Sequence, residues 1–368
     1  MKILISGGGT GGHIFPALSI ANALRRRDPS TEILFVGALG RMEMERVPAA
    51  GYEIVGLPVA GFDRKRPWRN FKVLLKLWKS MRLAKKVLRE FNPDVCVGVG
   101  GYASGPMLKE AQKKGIPTLL QEQNSYAGVT NKLLAKKAKA ICVAYDGMER
   151  FFPAGSITKT GNPVRHEIVT ASATPEEARK ALGFDTSRPL VVVVGGSLGA
   201  RTLNESMFSA LTPILETGAS VLWQTGKLYA DECLAFAAPL MEKWGTERFQ
   251  AMPFVSRMDL VYRGADIMVS RAGASTISEI QLTGVPSVLV PSPNVAEDHQ
   301  RKNAEALASR DAAVMILDKD CRAELSQAVL CLLNDESRRR AISENARKMA
   351  LPAADDKIVD CLLHIINR

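Results

Sequence analysis

The chain has 368 residues, 46% hydrophobic and 24% charged, as in a soluble globular protein with room for two ordinary domains. Its formal net charge of +11 favours an anionic partner, whether nucleic acid, anionic lipid or a phosphorylated substrate. No apolar run approaches the roughly 18 residues of a membrane span, and the N-terminus does not read as a signal peptide. The six cysteines (Cys96, Cys142, Cys233, Cys321, Cys331, Cys361) are scattered without C-x-x-C pairs, which argues against a disulfide framework or a zinc site.

In chain order, Lys2 to Ser6, Glu32 to Val36, Val95 to Val99, Thr118 to Gln121 and Ala140 to Val143 read as strands. Helical patterns such as Pro16 to Arg27 and Pro106 to Lys114 lie between them. A turn-rich junction, Gly161-Asn162-Pro163-Val164-Arg165, precedes a polar, Ala-rich stretch from Thr170 to Glu177. A second series then begins with Leu190 to Val194, a β-branched run expected to be buried on both faces. Val221 to Gln224, Ile267 to Ser270, Ser287 to Val290 and Val314 to Leu317 continue it. The expected fold is α/β: two Rossmann-like, doubly wound parallel sheets, residues 1–163 and 164–350, facing each other across a cleft. Spacing alone leaves the last helix, Asp355 to Ile366, free to join either domain; residues 351–368 are expected to pack back on the first.

Each half opens as strand, glycine-rich turn, helix. In the first, Ile3-Leu4-Ile5 runs into Ser6-Gly7-Gly8-Gly9-Thr10-Gly11-Gly12-His13. Gly7-x-Gly9-x-x-Gly12 matches a dinucleotide fingerprint, but the second strand ends Phe35-Val36-Gly37-Ala38-Leu39 with no acid for a ribose. A P-loop would need Gly-Lys-Ser/Thr where Gly-Gly-His stands. Both cofactor readings are weakened, and a tight strand–helix turn is the plain alternative.

The second half carries Gly195-Gly196-Ser197-Leu198-Gly199-Ala200-Arg201, whose bare amides and hydroxyl suit a phosphate near a helix N-terminus. A third loop reads Ser270-Arg271-Ala272-Gly273-Ala274-Ser275-Thr276-Ile277-Ser278-Glu279. The amides of Ala274 to Thr276 would face an anion, and Glu279 could accept two hydrogen bonds from a ribose diol. Thr276-x-x-Glu279 equally matches a capping box. Two such loops in one domain favour a nucleoside diphosphate.

These segments, with "GGYASGP" (Gly100 to Pro106), "EQNSYAGVTNK" (Glu122 to Lys132) and "GNPVR", resemble the MurG family of glycosyltransferases. The resemblance runs from Gly8 to about Asn303. It implies a GT-B fold, with an acceptor- and membrane-associated N-terminal domain and a UDP-GlcNAc-binding C-terminal domain. It also implies inverting transfer of N-acetylglucosamine from UDP-GlcNAc to the 4-hydroxyl of the muramyl sugar of lipid I, giving lipid II for peptidoglycan synthesis, cell shape and division. Another UDP-sugar enzyme on this scaffold, a glycolipid synthase or a UDP-GlcNAc 2-epimerase, is the alternative, and a non-catalytic nucleotide-sugar-binding or scaffold protein is a third reading.

By the same resemblance, Thr10, Gly11 and Gly12 would lie against the donor, and His13 and Asn124 near the sugar and the acceptor as catalytic residues. Arg165 and Ser197 would contact the donor nucleotide or its diphosphate. Val255 would give a backbone contact to the uracil. Ala274, Ser275 and Thr276 would hold phosphate, Glu279 the ribose and Gln300 sugar hydroxyls. There are departures: Leu198 replaces a frequent glutamine, Gln121 a frequent histidine, and His299 precedes Gln300 where the pattern varies.

Inverting transfer needs a base, an aligned C1 and a stabilised leaving group. His13 is the expected base; capping or orienting the loop is its plain alternative. No cofactor or metal is required. The one D-x-D, Asp318-Lys319-Asp320, reads as loop and N-cap.

From Gly61 to Asp94 runs a basic segment, Arg64 to Arg89, with Phe71, Leu74, Leu75, Trp78, Met81, Ala84 and Leu88 at helical spacing. Its apolar stripe is core in one reading, above all in its C-terminal part. In the other, Trp68, Phe71 or Trp78 dips into an anionic membrane surface. No nucleic-acid motif accompanies the charge. Peripheral attachment to the cytoplasmic face of the cell membrane is therefore expected, beside cell-wall synthesis proteins as possible partners.

Overall fold

Two strand–helix series give two parallel sheets in the computed structural model, which describes residues 1–61, 70–295 and 298–367. One unit comprises Met1–Arg165 with the chain from Leu351 onward; the other is His166–Ala350. In the first, β1 (Lys2–Ser6), β2 (Glu32–Ala38), β3 (Glu53–Leu57), β4 (Val95–Gly98), β5 (Thr118–Glu122), β6 (Ala140–Val143) and β7 (Ile157–Lys159) lie in the order β3-β2-β1-β4-β5-β6-β7. In the second, β8 (Leu190–Val194), β9 (Ser220–Gln224), β10 (Phe249–Met252), β11 (Ile267–Ser270), β12 (Ser287–Leu289) and β13 (Val314–Met315) lie in the order β10-β9-β8-β11-β12-β13.

Burial on both faces, with side chains alternating at a period of two, explains the continuous apolar runs Ile3–Ile5 and Leu190–Val194. Ile3 and Ile5 face one core with Ile20 and Leu24, while Leu4 faces the other with Leu88 and Leu108. In the second unit Val191 and Val193 join Trp223, Phe249 and Ile267 in one core. In each sheet the strand order reverses once beside the first strand, between β1 and β4 and between β8 and β11. Loops leaving the carboxyl ends of such a pair diverge and make a ligand crevice.

The last helix, Ala354–Ile366, buries Ile358, Val359 and Leu362 in the core of the first unit. Arg26 meets Asp355 at 2.8 Å, and Arg27 pairs with Asp360. The junction also differs from a boundary after residue 163. Val164 accepts a hydrogen bond from the Ser19 hydroxyl at 3.4 Å, and the Arg165 guanidinium lies 5.5 Å from the Phe15 ring centre, so both belong to the first unit.

Three strands escape the sequence patterns: β3, β7 and β10. All are edges, and edges need only one apolar side. The first helix also starts earlier than Pro16. It spans Gly11–Arg27, so the glycine run is half loop and half helix, with Pro16 inside at the cost of one helical N–H.

Candidate active-site loops

At the carboxyl end of β1 the glycines answer to their neighbours. A Cβ on Gly8, at φ +140°, would overlap the Glu43 carboxylate, and one on Gly101, at φ +86°, would overlap the Gly8 carbonyl. The loops after β1 and β4 thus touch backbone to backbone. The Ser104 hydroxyl ties them, donating to the carbonyls of Ser6 and Gly100 at 2.6 and 2.9 Å. Glu43, 1% exposed, closes the other side. Its carboxylate accepts from the Gly9 N–H at 3.0 Å to each oxygen and from the Ala38 N–H at 2.9 Å.

That clamp presents the first turn of the helix Gly11–Arg27. Thr10 is its N-cap residue but makes no side-chain cap. Its hydroxyl is instead 3.2 Å from His13 Nδ1. Gly100 lies against the other ring nitrogen, where a Cβ would stand 2.9 Å from Nε2. The imidazole is therefore oriented by one side chain and given room by a missing one.

Asn124 follows β5 and is held by Glu122, whose Oε1 accepts from its backbone N–H at 3.1 Å and its side-chain amide at 3.3 Å. Gly128 N–H and Asn131 Nδ2 each donate to Glu122 Oε2 at 2.9 Å. Burial pushes the Glu122 carboxyl up, and these hydrogen bonds oppose the shift. Gln121 is buried, donating from Nε2 to Asn162 Oδ1 at 3.0 Å, while Asn162 Nδ2 donates to the Gln123 carbonyl at 2.9 Å. Its side chain joins β5 to the Gly161–Arg165 junction and is not offered to a ligand.

In the second unit Gly199 and Gly226 exclude each other's Cβ, locking the loop after β8 onto the loop after β9. The Ser197 carbonyl accepts from the Lys227 N–H at 3.2 Å, and its side chain is half-buried. Gln224, a buried amide at the end of β9, bridges two expected contacts. It donates to the Gly196 carbonyl at 3.1 Å and accepts from the Val255 N–H at 3.0 Å. Val255 therefore has its carbonyl to offer, its N–H being used.

The capping-box alternative at Thr276 is overturned. The helix runs Ala274–Thr283 with Gly273 as N-cap and no side-chain cap, which puts Thr276 inside the first turn. The same four-residue spacing at Thr174 and Glu177 does form a complete capping box, because Thr174 is extended and Pro175 begins the helix. Glu279 is 5% exposed, and the Tyr262 hydroxyl donates to its Oε2 at 2.7 Å. The hydroxyls of Ser270 and Ser275 are buried with no hydrogen-bond partner among the described residues. Ser275 thus lies with uncapped amides at a helix N-terminus, the chemistry of an anion site. The Gln300 Oε1 accepts from the Ser292 N–H at 2.9 Å, which leaves its amino group for a ligand.

Asp318 is engaged elsewhere. It pairs with Arg271 and accepts from the Thr202 hydroxyl at 2.9 Å. Asp320 stands at the N-cap of Cys321–Asn334 without a capping hydrogen bond. Among the described residues no group of His, Cys, Asp and Glu could hold a metal ion.

The basic segment divides as a helix over Asn70–Phe91. Ala84, Val87 and Leu88 are core; Leu74, Leu75 and Trp78 are exposed. A groove of about 760 Å³ beside them is lined by Trp78, Lys79, Arg82, Lys86, Arg89 and Lys114, with Arg82 4.7 Å from the Trp78 ring centre. Arg64, Lys65, Arg66, Trp68 and Arg69 lie outside the described residues, as do the side chains of Phe71 and Lys72. No described helix is long and apolar enough to cross a membrane.

The model of the glycosyltransferase family 28 N-terminal domain matches residues 3–143, and that of the family 28 C-terminal domain matches residues 190–358. A protein of Parabacteroides distasonis, named UDP-N-acetylglucosamine–N-acetylmuramyl-(pentapeptide) pyrophosphoryl-undecaprenol N-acetylglucosamine transferase, is 54% identical over 367 residues. The alignment covers 100% of this chain and 99% of that protein. The chain belongs to the MurG transferases of glycosyltransferase family 28. The crystal structure of Acinetobacter baumannii MurG matches with a TM-score of 0.76 at 28% identity, covering 99% of both chains. A UDP-GlcNAc 2-epimerase from Neisseria meningitidis, bound to UDP-GlcNAc, matches with a TM-score of 0.68 at 12% identity, covering 99% of this chain and 100% of that one, a likeness of fold alone.

Sequence reasoning about this MurG-family chain missed Glu43, Gln224 and Tyr262. Each is a polar side chain that reaches its loop or carboxylate from another part of the chain, and only Gln224 left a signal, a lone amide ending an apolar strand. Glu43→Gln replaces a carboxylate that accepts from two N–H groups, those of Gly9 and Ala38, with a group that must turn a donor toward one of them. A loss of about 1–3 kcal/mol in unfolding free energy is expected by denaturant titration. Glucosaminyl transfer should fall with it, as the glycine loop loses its anchor.

Proposed function

We propose that this chain transfers N-acetylglucosamine from UDP-GlcNAc to the 4-hydroxyl of the muramyl sugar of undecaprenyl-pyrophosphoryl-MurNAc-pentapeptide, converting lipid I to lipid II with inversion. The observation that carries this reading is the 54% identity, end to end, with a transferase of that name.

The site residues take roles that their surroundings support. The acceptor oxygen attacks C1 of the donor sugar, the C1–O4 bond forms, and the bond from C1 to the UDP oxygen breaks. His13 takes the hydroxyl proton on Nε2, with Nδ1–H donating to the Thr10 hydroxyl. Asn124, steadied by Glu122, holds the reacting sugars in place. Gly11 and Gly12 let substrate approach the backbone.

The charge arriving on UDP meets the amides of Ala274, Ser275 and Thr276 and the hydroxyls of Ser275 and Ser197. Arg165 supplies a cation toward phosphate. Glu279 accepts from the ribose hydroxyls, Val255 offers its carbonyl to the uracil, and Gln300 donates to a sugar hydroxyl. The scheme needs no metal or organic cofactor.

Attachment to the membrane surface from the cytoplasmic side follows from the same reading. Leu74, Leu75 and Trp78 are apolar side chains exposed beside Lys79, Arg82, Lys86 and Arg89, a pairing suited to anionic lipid. Cell-wall synthesis proteins would be met there.

UDP release from UDP-GlcNAc with and without a short-chain lipid I analogue tests the reaction. Release that depends on the analogue, with a disaccharide product, is expected; acceptor-free release or conversion to another hexosamine would replace this reading with the epimerase one. In that assay His13→Ala should lower kcat by roughly 10²–10⁴-fold with the donor KM little changed. Tyr262→Phe should instead raise the donor KM by about tenfold and spare kcat, because Glu279 without that hydrogen bond loses its aim at the ribose.

Vesicle co-sedimentation tests the surface. Binding should be stronger to anionic than to neutral vesicles, fall with salt, and drop when Trp78 and Arg82 are replaced by Ala. Equal binding to both lipids would remove the electrostatic part of the proposal.

A further inference from the structure

The loops that leave the carboxyl ends of β5 and β6 meet beside Asn124 in a cluster that the bond-making step does not use. The loop after β5 carries Ser125 and Tyr126 into the short helix Val129–Leu134, which bears Lys132. The loop after β6 enters the turn Met148–Arg150 through Gly147, at φ +72°, and Met148, 1% exposed, pins that turn to the core. Phe151 follows. Its ring meets that of Tyr126 edge to face, with centres 4.7 Å apart and planes at 69°.

That ring pair seats two cations. The Arg150 guanidinium lies 4.7 Å from the Phe151 ring centre and donates from Nη2 to the Ser125 carbonyl at 2.9 Å. The Lys132 ammonium lies 4.9 Å from the Tyr126 ring centre and 5.6 Å from that of Phe151. An aromatic ring holds a cation in place without neutralising it. The neighbouring acids do not neutralise it either. Glu122 is 2% exposed and accepts from Asn124, Gly128 and Asn131, while Asp146 pairs with Lys159 at 2.7 Å. Exposed Glu149 leaves both cations alone, and among the described residues neither is paired with a carboxylate. Two fixed positive charges thus stand at the carboxyl edge of the sheet, one of them bonded to the residue after Asn124.

We propose that Arg150 and Lys132 form a subsite for the terminal carboxylate of the acceptor's peptide. The proposal rests on the lipid I reading given above. An N-acetylmuramyl-pentapeptide carries its peptide by the amino end, so the carboxyl end is free and anionic at neutral pH. Five extended residues span about 17 Å, ample reach from a sugar held at Asn124 to a guanidinium bonded to Ser125. The bond to the Ser125 carbonyl uses one N–H of Arg150 and sets the plane of the group, leaving other donors for the two carboxylate oxygens. Lys132 adds a charge that needs no fixed direction. The chain would then select its acceptor by the end of the peptide as well as by the sugar.

The test supplies the full chain with UDP-GlcNAc and two short-chain lipid I analogues, alike except that the pentapeptide ends in a carboxylate or in a carboxamide, and follows UDP release. The unmodified chain should show an acceptor KM about tenfold lower for the carboxylate, with similar kcat. Arg150→Ala should erase that preference by raising the KM of the carboxylate analogue to that of the carboxamide. Lys132→Ala and added salt should each narrow it. Equal KM values for the two analogues on the unmodified chain would overturn the subsite, as would a preference that survives Arg150→Ala undiminished. Both of those results leave the transferase reading standing. If neither analogue stimulates UDP release, the transferase reading itself falls, and the subsite with it.

Discussion

No side chain fits between the Gly8 carbonyl and the Gly101 α-carbon, and the N-terminal site depends on that exclusion. The first strand of a parallel sheet and the strand that follows the crossover leave their carboxyl ends side by side, so their loops must pass each other. Here they pass at backbone contact. Closeness of this kind leaves amides to be satisfied, and Glu43 supplies acceptors from the neighbouring helix. The glycine run then turns into a helix whose first residues carry His13. The many glycines answer to different demands: Gly8 and Gly101 to contact, Gly100 to room for an imidazole, Gly11 and Gly12 to an unscreened helix start.

The second unit solves the same problem with different parts. Gly199 and Gly226 replace Gly8 and Gly101, and the Gln224 amide, neutral and bifunctional, replaces the Glu43 carboxylate. The difference has an electrostatic sense under the donor reading. A diphosphate is repelled by a buried anion under its loop, whereas an amide is neutral toward it. Glu279, by contrast, is held by a tyrosine hydroxyl one helix away and sits where a diol rather than a phosphate is expected.

Much of this was legible in the residues. Continuous apolar runs located the central strands because burial on both faces leaves no other composition, and the glycine loops announced themselves at the strand ends. The edge strands were not legible, since Ile157-Thr158-Lys159 looks like any turn until β6 is beside it. Thr276-x-x-Glu279 could not be told from Thr174-x-x-Glu177 by spacing, because helix phase is set by the backbone of the preceding residue: Gly273 in one, Thr174 in the other. Glu43, Gln224 and Tyr262 escaped because their meaning lies in what they touch. The resemblance to MurG named the positions expected to face ligand but not these supports.

The helix that begins at Ala354 belongs to the unit that began at Met1, and the whole of the other unit is synthesised in between. A ribosome therefore releases an N-terminal sheet with one apolar face covered only in part, by the helix Gly11–Arg27, and the rest of that face waits for the helix that begins at Ala354. Ile358, Val359 and Leu362 reach it only after the second sheet has emerged. The second unit can fold as it leaves the tunnel, whereas the first, though translated earlier, is finished last. Chain order and order of completion run in opposite directions, and a chaperone would find its longest-lived exposed surface on the half of the protein made first.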